Sequence, residues 1–201
     1  MKQVEVKKDS PKILGLDVST KTIGWALFDI ESKNLLELTH ISPKTKNDVD
    51  NKMEVLFEKA TIFGEKIKDY TDLGITKVIV EEPLLNSNNV YTVASLIRYN
   101  TLICREIYEN LGIIPELIST YNARKFAFPY LVKPNDKGKF VLFGEYPKGV
   151  DKKMIIWEQV AKREPQITWL YTKKNTLKKE NFDQTDAYCA ALGYMKMNNI
   201  W

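Results

Sequence analysis

Residues 13–30 read ILGLDVSTKTIGWALFDI, and this stretch decides the fold. An apolar run that starts at Ile13 ends at Asp17, which is typical of a buried strand with a carboxylate at its end. A second apolar segment, residues 22–30, follows after a short turn, so the two segments predict a hairpin. Residues 35–41 supply a third predicted strand. The chain is therefore expected to begin with a small antiparallel sheet.

Further along the chain, helix-like and strand-like segments alternate. Residues 53–70 and 90–111 space their apolar side chains as amphipathic helices do, and Gly112 predicts the end of the second helix. Residues 77–80 form a nearly continuous apolar strand that ends at Glu81. The other predicted elements are a strand at 113–118 and helices at 120–128, 151–163 and 183–197. This order predicts an α/β fold with a mixed five-stranded sheet flanked by helices.

The organisation expected from this pattern is one domain over residues 1–201. A polar N-terminal arm is predicted at residues 1–11, and the turn-rich segment 129–147 is predicted to be an exposed loop insertion. The first strand and the strand at 77–80 are expected to lie side by side. That arrangement brings Asp17 and Glu81 together.

Composition excludes several classes of protein. Two cysteines, Cys104 and Cys189, and one histidine argue against a zinc site or a disulfide scaffold, and buried reduced thiols are expected. No apolar run is long enough to span a membrane, and the start of the chain lacks an apolar signal core, so a cytoplasmic protein without a membrane partner is expected. The formal net charge of +4 is compatible with nucleic acid binding and with a solvated lysine-rich surface.

Four acidic residues lie where local structure would direct them to one place. Asp17 and Glu81 end apolar strands, and Asp183 and Asp186 are three residues apart on one face of a predicted helix. Converging carboxylates repel one another unless a cation neutralises them, and oxygen ligands suit Mg²⁺ or Mn²⁺. Two Mg²⁺ ions, with Mn²⁺ as a substitute, are therefore the expected cofactors, held by all four acids for phosphodiester hydrolysis.

Each acid also has a purely local explanation. Asp17 could belong to a turn, Glu81 to a charged strand end, and Asp183 and Asp186 to a favourable helix N-terminus. The lone His40 lies in a predicted strand and has no expected catalytic role. No G-x-x-x-x-G-K-[ST] loop is present, which excludes a P-loop ATPase at the level of motifs. The combination of the four acids, in this order and on these elements, is what favours a metal site.

Three segments resemble the motifs of RuvC-type nucleases of the RNase H-like superfamily. The segment GLDVSTKTIGWAL at residues 15–27 closely resembles the first motif. The segment VIVEE at 78–82 looks like the second motif, a strand that ends in the catalytic glutamate. The segment DQTDA at 183–187 looks like the last motif, at the start of a helix. The resemblance runs in the family's order over residues 12–195 and implies an RNase H-like sheet.

The resemblance also implies a function and a set of catalytic residues. It implies a bacterial or phage Holliday junction resolvase, a homodimer that binds four-way DNA junctions and nicks two strands symmetrically with Mg²⁺. The segment GVDKK at 149–153 resembles the family segment in which a lysine lies near the scissile phosphate. By that match Lys152 is the expected catalytic lysine and Lys153 its neighbour, while two solvated lysines remain the alternative. The acids expected to be catalytic are Asp17, Glu81, Asp183 and Asp186.

The sequence also departs from the family pattern. The family often has Asp-Pro-Gly where this chain has Asp-Val-Ser at 17–19, and the small residues that help the dimer to pack are replaced around 98–102. The family's wedge aromatic falls at Leu84 or Leu85, where a leucine could insert at an opened base step or simply pack in the core. The insertion at 129–147 is expected either to contact DNA by charge and stacking or to be a solvated loop. Its basic and aromatic residues are Lys133, Lys137, Lys139, Phe140, Phe143 and Tyr146.

Three other functions fit parts of the pattern. The same fold could act on structured RNA or on an RNA–DNA hybrid. The turn at residues 17–20 also resembles the phosphate-binding hairpin of actin-like kinases and ATPases, although those proteins need two such domains. A non-catalytic nucleic-acid-binding protein is the remaining alternative, and the presence of all four acids argues against it.

Overall fold

The computed structural model describes residues 10–45, 52–83 and 89–201. The strands are β1 (Lys12–Val18), β2 (Ile23–Asp29), β3 (Leu35–Ile41), β4 (Ile75–Glu81), β5 (Glu116–Ile118), β6 (Val132–Pro134) and β7 (Phe140–Leu142). The helices are α1 (Lys52–Ile67), α2 (Val90–Leu111), α3 (Thr120–Ala127), α4 (Lys152–Arg163) and α5 (Glu180–Met197), with short 3₁₀ helices at Lys68–Leu73 and Pro129–Leu131. Each segment predicted from the sequence corresponds to one of these elements.

The central sheet is mixed and has the strand order β3-β2-β1-β4-β5. The first three strands pair in antiparallel fashion, whereas β4 is parallel to β1 and β5 is parallel to β4. The predicted α/β class, a mixed five-stranded sheet flanked by helices, is confirmed. The parallel pair at the centre places the carboxyl ends of β1 and β4 at the same edge.

Alternation along the strands divides the core between two faces of the sheet. One face packs on α1 and α2, and we call it the α1/α2 face; the other packs on α3, α4 and α5, and we call it the α5 face. The α1/α2 face is built from large side chains such as Leu14, Leu16, Trp25, Phe63, Val80, Tyr99 and Ile103. The α5 face includes many small ones, among them Ala26, Ala123, Ala187, Ala190 and Ala191.

Two glycines allow α5 to approach the sheet backbone. A Cβ atom on Gly15 of β1 would lie 2.3 Å from the carbonyl oxygen of Ala187, and one on Gly24 of β2 would lie 2.0 Å from the carbonyl oxygen of Asp183. Both distances are far below van der Waals contact, so only glycine fits at these positions. The first half of α5 is thereby held against the middle of β1 and the start of β2.

The segment 129–147 is folded, contrary to the prediction of an exposed insertion loop. β6 and β7 form an antiparallel hairpin, and both Leu131 and Phe143 are buried in the core of the α5 face. The prediction is wrong at these two residues because Gly, Pro and Asn signal turns without revealing which apolar neighbours anchor them. The tip remains exposed, and Phe140 is 68% exposed.

The N-terminal residues and the two cysteines were also the subject of sequence predictions. Residues 1–9 of the predicted N-terminal arm lie outside the described residues. Ser10, near the end of the predicted arm, is buried and donates a hydrogen bond to the carboxylate of Asp29. Both cysteines are free thiols; Cys189 is buried, as predicted, whereas Cys104 is only partly buried. Within the described ranges, no helix has the length and apolar character needed to cross a bilayer.

Candidate active site

The carboxyl ends of β1 and β4 position the two acids that were predicted at strand ends. The parallel register places Leu16 opposite Val80, so Asp17 and Glu81 follow that pair on neighbouring strands. Both acids belong to the α5 face because side chains alternate along a strand. Glu81 is 8% exposed, whereas Glu82 lies on the other side of the alternation and is exposed. Glu81, which the resemblance to the family motif selects as the expected catalytic glutamate, is therefore the one that shares the α5 face with Asp17.

The first two turns of α5 supply the other two acids. Asp186 is 3% exposed, and the backbone of Asp183 rests on Gly24 of β2. The charges of Glu81, Asp186 and Asp183 all act on Asp17. The structure therefore brings together the four acids predicted from the sequence, from three separate elements.

Glu81 is fixed by one of its carboxylate oxygens. The hydroxyl of Thr120 donates a hydrogen bond to Glu81 Oε1 at 2.6 Å. Glu81 Oε2 is buried and has no hydrogen-bond partner among the described residues. A buried carboxylate oxygen without a donor is costly, so this atom marks a place where a cation would be stabilised.

Asp186 is held by two basic side chains. Arg124 donates from Nη2 and Nε to Asp186 Oδ1, at 2.8 and 3.2 Å. Lys153 Nζ lies 3.1 Å from Asp186 Oδ2 and 4.0 Å from Asp183 Oδ1. Arg124 is buried, whereas the Lys153 side chain is 47% exposed and reaches the acids from the solvent side. The cluster thus contains its own counter-charges.

Burial and mutual repulsion raise the pKa values of three acids. For Asp17 burial is the largest cause, followed by the charges of the other acids, and its pKa lies well above the ordinary value. Burial and then the charge of Asp186 raise the pKa of Glu81 to about 7. Burial raises the pKa of Asp183 to about 6, although the charge of Lys153 acts in the opposite direction. A neutralising cation would relieve this repulsion.

The structure places Lys153 at the acids, and not Lys152, which was the residue preferred from the sequence. Lys152 Nζ lies 6.0 Å from the centre of the Phe143 ring, on the side of the β6–β7 hairpin. Burial alone would lower the pKa of Lys153, but its attraction to Asp186 and Asp17 raises it, so the side chain stays cationic. Neighbours on a helix point in different directions, and the correction follows from where α4 begins.

Comparison with solved structures shows which fold carries this cluster. Thermus thermophilus RuvC in complex with a Holliday junction substrate superposes with a TM-score of 0.61 at 10% identity, covering 94% of this chain and 95% of that one. Yeast mitochondrial Holliday junction resolvase Ydc2 gives 0.61 at 9% identity, over 94% and 79% of the two chains. A second T. thermophilus RuvC structure gives 0.55 at 14% identity, over 94% and 96%. The chain has the RuvC fold. No protein-family model and no curated protein sequence matches it.

In this RuvC fold, two contributors to the site were missed by the sequence interpretation. Thr120 and Arg124 lie one helical turn apart on α3, and both point at the acids, Thr120 at Glu81 and Arg124 at Asp186. Their spacing of four residues is the available signal, since it places two polar side chains on one face of a short helix. The buried Ala123 and Ala127 mark the neighbouring face, which packs in the core.

The donor set of the cluster fits a hard divalent cation in kind. All four acids are oxygen ligands of the type that Mg²⁺ and Mn²⁺ prefer, and Glu81 Oε2 is unpartnered among the described residues. As the side chains stand, no three His, Cys, Asp or Glu residues within the described ranges are close enough to hold one ion. Both oxygens of Asp186 are engaged by cationic side chains, Oδ1 by Arg124 and Oδ2 by Lys153.

The remaining predicted residues have simpler outcomes. His40 Nδ1 lies 2.9 Å from Nε2 of Gln184, a residue of α5, so His40 helps to hold this helix on β3. Leu84 and Leu85, the predicted wedge positions, lie outside the described residues.

Proposed function

We propose that this chain is a metal-dependent, structure-selective DNA endonuclease, and specifically a Holliday junction resolvase. The observation that supports the proposal is the gathering of Asp17, Glu81, Asp183 and Asp186 at one edge of a RuvC-fold sheet, with Lys153 beside them. One of the solved structures with this fold is a complex with a Holliday junction substrate. Branched DNA is therefore the proposed substrate.

The four acids would hold two Mg²⁺ ions, with Mn²⁺ as a substitute. When bound, such ions supply positive charge that activates a water molecule and stabilises the leaving oxygen. Thr120 keeps the carboxylate of Glu81 in one orientation through its hydrogen bond. The protein contributes the position of each oxygen, because the acids are fixed on strands and on a helix packed against them.

Lys153 and Asp183 are the side chains best placed to handle charge and protons. Lys153 is half exposed and cationic, so it can place positive charge on a phosphate oxygen as negative charge builds up there. The pKa of Asp183 is raised to about 6, close to neutrality, which suits a group that accepts a proton from the attacking water. Two roles therefore stay open for Asp183, that of a metal ligand and that of a base.

Cleavage of a labelled four-way junction tests the proposal. With Mg²⁺ or Mn²⁺ we expect paired symmetric nicks in the junction and none in a matched linear duplex, and no cleavage in EDTA. Asp17→Asn, Glu81→Gln and Asp186→Asn should each lower turnover by roughly a thousandfold or more while junction binding survives. The matched control is Asp72→Asn, which changes an exposed acid in the 3₁₀ helix before β4 and should cleave like the wild type.

Retained turnover in any of the three variants would show that the site is misplaced. Preferential cleavage of structured RNA or of an RNA–DNA hybrid would support the nuclease activity and contradict branched DNA as its substrate. We also propose a homodimer acting in the cytoplasm of a bacterial or phage-infected cell, because symmetric nicking of two strands needs two active sites. Sedimentation of the protein alone and bound to a junction tests the dimer.

A further inference from the structure

The β6–β7 hairpin combines positive charge with an exposed aromatic ring. We call residues 132–148 the hairpin arm. From the arm to the start of α4, residues 132–153 contain six lysines and three acidic residues, in a chain whose formal net charge is +4. Phe140 is 68% exposed and Tyr146 is 37% exposed. The exposed lysines on the arm and just after it are Lys137, Lys139, Lys148, Lys152 and Lys153.

The tip of the arm has a defined conformation. The side chain of Asn135 accepts hydrogen bonds from the backbone N–H groups of Lys137 and Lys139, at 3.0 and 3.1 Å. The backbone N–H of Gly138 donates to the carbonyl oxygen of Asn135 at 2.8 Å, and Gly138 has a φ of 70°. Two lysines and Phe140 are therefore presented on a built turn.

The arm is connected to the acidic cluster by a short chain of contacts. Phe143, at the base of the arm, is buried, and its backbone N–H donates to the carbonyl oxygen of Leu131 at 2.8 Å. Lys152 lies over the Phe143 ring, and the next residue, Lys153, contacts Asp186. A nucleic acid lying on Lys153 at the acids is thus expected to pass close to the arm.

We propose that the hairpin arm is a second DNA-contact surface, on which Lys137 and Lys139 bind phosphates and Phe140 stacks on an unpaired base near the branch point. This inference rests on the proposed function, because it takes branched DNA as the substrate. Lysines supply attraction to phosphates that does not depend on sequence, and an exposed aromatic ring offers a stacking platform to any base. A base inside a continuous duplex has no free face for Phe140, so its contact selects branched or opened DNA.

Binding is measured by fluorescence anisotropy, in EDTA and in the Asp17→Asn background, so that cleavage plays no part. The probes are a labelled four-way junction and a linear duplex of the same sequence, between 50 and 200 mM salt. Lys137→Gln with Lys139→Gln should weaken binding to both probes and should reduce the slope of log Kd against log salt by about 2. The control, Lys33→Gln with Lys68→Gln, removes two exposed lysines at the opposite end of the sheet and should leave the slope unchanged.

The aromatic contact is tested separately. Phe140→Ala should weaken junction binding by about tenfold or more and leave duplex binding unchanged, since stacking needs an unpaired base. Phe140→Trp should bind like the parent, and Phe140→Leu should behave like the alanine variant. Because Phe140 is mostly exposed, these changes should leave the melting temperature unaltered.

Two results would overturn the inference. One is a salt slope for the Lys137–Lys139 variant equal to that of the control. The other is a Phe140→Ala variant that binds the junction as the parent does, or that loses equal affinity for junction and duplex. The nuclease proposal fails differently. If the protein does not cleave junctions but the arm substitutions lower its junction affinity, the arm proposal stands and the nuclease proposal fails. If the protein cleaves junctions and the arm substitutions have no effect on binding, only the arm proposal fails.

Discussion

The two faces of the central sheet differ in the side chains that β1 and β2 contribute to them. On the α1/α2 face, β1 and β2 contribute Leu14, Leu16 and Trp25, and other large side chains of α1 and α2 pack against them. On the α5 face, the same strands contribute Gly15 and Gly24, and the backbone of α5 lies directly on them. Large side chains provide buried apolar area on one face. On the other face, which also contains large residues such as Phe28, the two glycines let a helix lie close enough to deliver two acids.

The comparison extends to polarity. Glu81, Asp186 and Arg124 are all buried at the α5 face, where each must find a partner. Burying such groups costs free energy, which the apolar packing of the rest of the core has to offset. We therefore expect substitutions on the α1/α2 face to change stability, and substitutions on the α5 face near the acids to change turnover.

The largest expected effect, in free energy, is on the α1/α2 face. Leu16 is fully buried there, and Leu16→Ala should lower the free energy of unfolding by about 2–5 kcal/mol because it removes apolar contacts and leaves a cavity. Denaturant titration checks this value. Turnover of the folded variant at low temperature should stay within about twofold, and a drop in turnover at unchanged stability would contradict the division between the faces.

The next effect is on the α5 face. Gly24→Ala would place a Cβ 2.0 Å from the carbonyl oxygen of Asp183, so the first turn of α5 must move and turnover should fall by about a hundredfold. Gly64→Ala, on α1, is the matched control. Its Cβ would meet the carboxylate end of Glu106 at 2.1 Å, which a flexible side chain can vacate. Single-turnover cleavage should separate the two variants, and equal activity would show that the close approach of α5 is unimportant.

A smaller effect concerns stability and pH in the metal-free protein. The pKa of Glu81 is about 7 in the folded protein and ordinarily about 4.5, so the folded state binds more protons between these values and stability falls as pH rises through them. Asp183 acts in the same direction up to about pH 6. Glu81→Gln removes the charge, so at pH 8 in EDTA it should raise the free energy of unfolding by roughly 1–3 kcal/mol.

Thermal melts at pH 5 and pH 8 measure this difference. At pH 5 Glu81 is mostly protonated in the folded protein, and the variant should gain little there. A loss of stability at pH 8 would mean that the carboxylate is stabilising and that the repulsion is absent.

The smallest expected effect is at Thr120. Thr120→Val removes the hydrogen bond to Glu81 Oε1 while keeping the shape of the side chain, and it should weaken Mn²⁺ affinity and turnover by about tenfold. Thr120→Ser restores the donor and should recover both. Calorimetric titration with Mn²⁺ separates metal affinity from catalysis. Identical Mn²⁺ affinity in the wild type and in both Thr120 variants would show that Thr120 does not support metal binding.

The sequence predicts most of this architecture because the main strands of the sheet are recognisable as short apolar runs. Asp17 and Glu81 each follow an apolar run. Alternation places Glu81 and Glu82 on opposite faces, and the resemblance to the family motif selects Glu81. The pairing of β1 with β4 follows from the mixed topology. These predictions succeed because they depend on local patterns that the tertiary structure has no reason to override.

Other features depend on tertiary placement and could not be predicted in the same way. The choice between Lys152 and Lys153 depends on the residue at which α4 begins and on the direction in which its first turn points. Arg124 is an ordinary basic residue in the sequence, and only the packing of α3 on α5 buries it against Asp186. The burial of Phe143 likewise depends on where the hairpin meets the core.

The pairing of Asp186 with Arg124 and Lys153 bears on how the chain folds without a metal. With these cations in place, the charge of Asp186 is balanced without a metal, so we expect the chain to fold in the absence of Mg²⁺. If the proposed metal dependence holds, a chelator should abolish cleavage without unfolding the protein, unlike the case of small domains whose structure is lost with the ion.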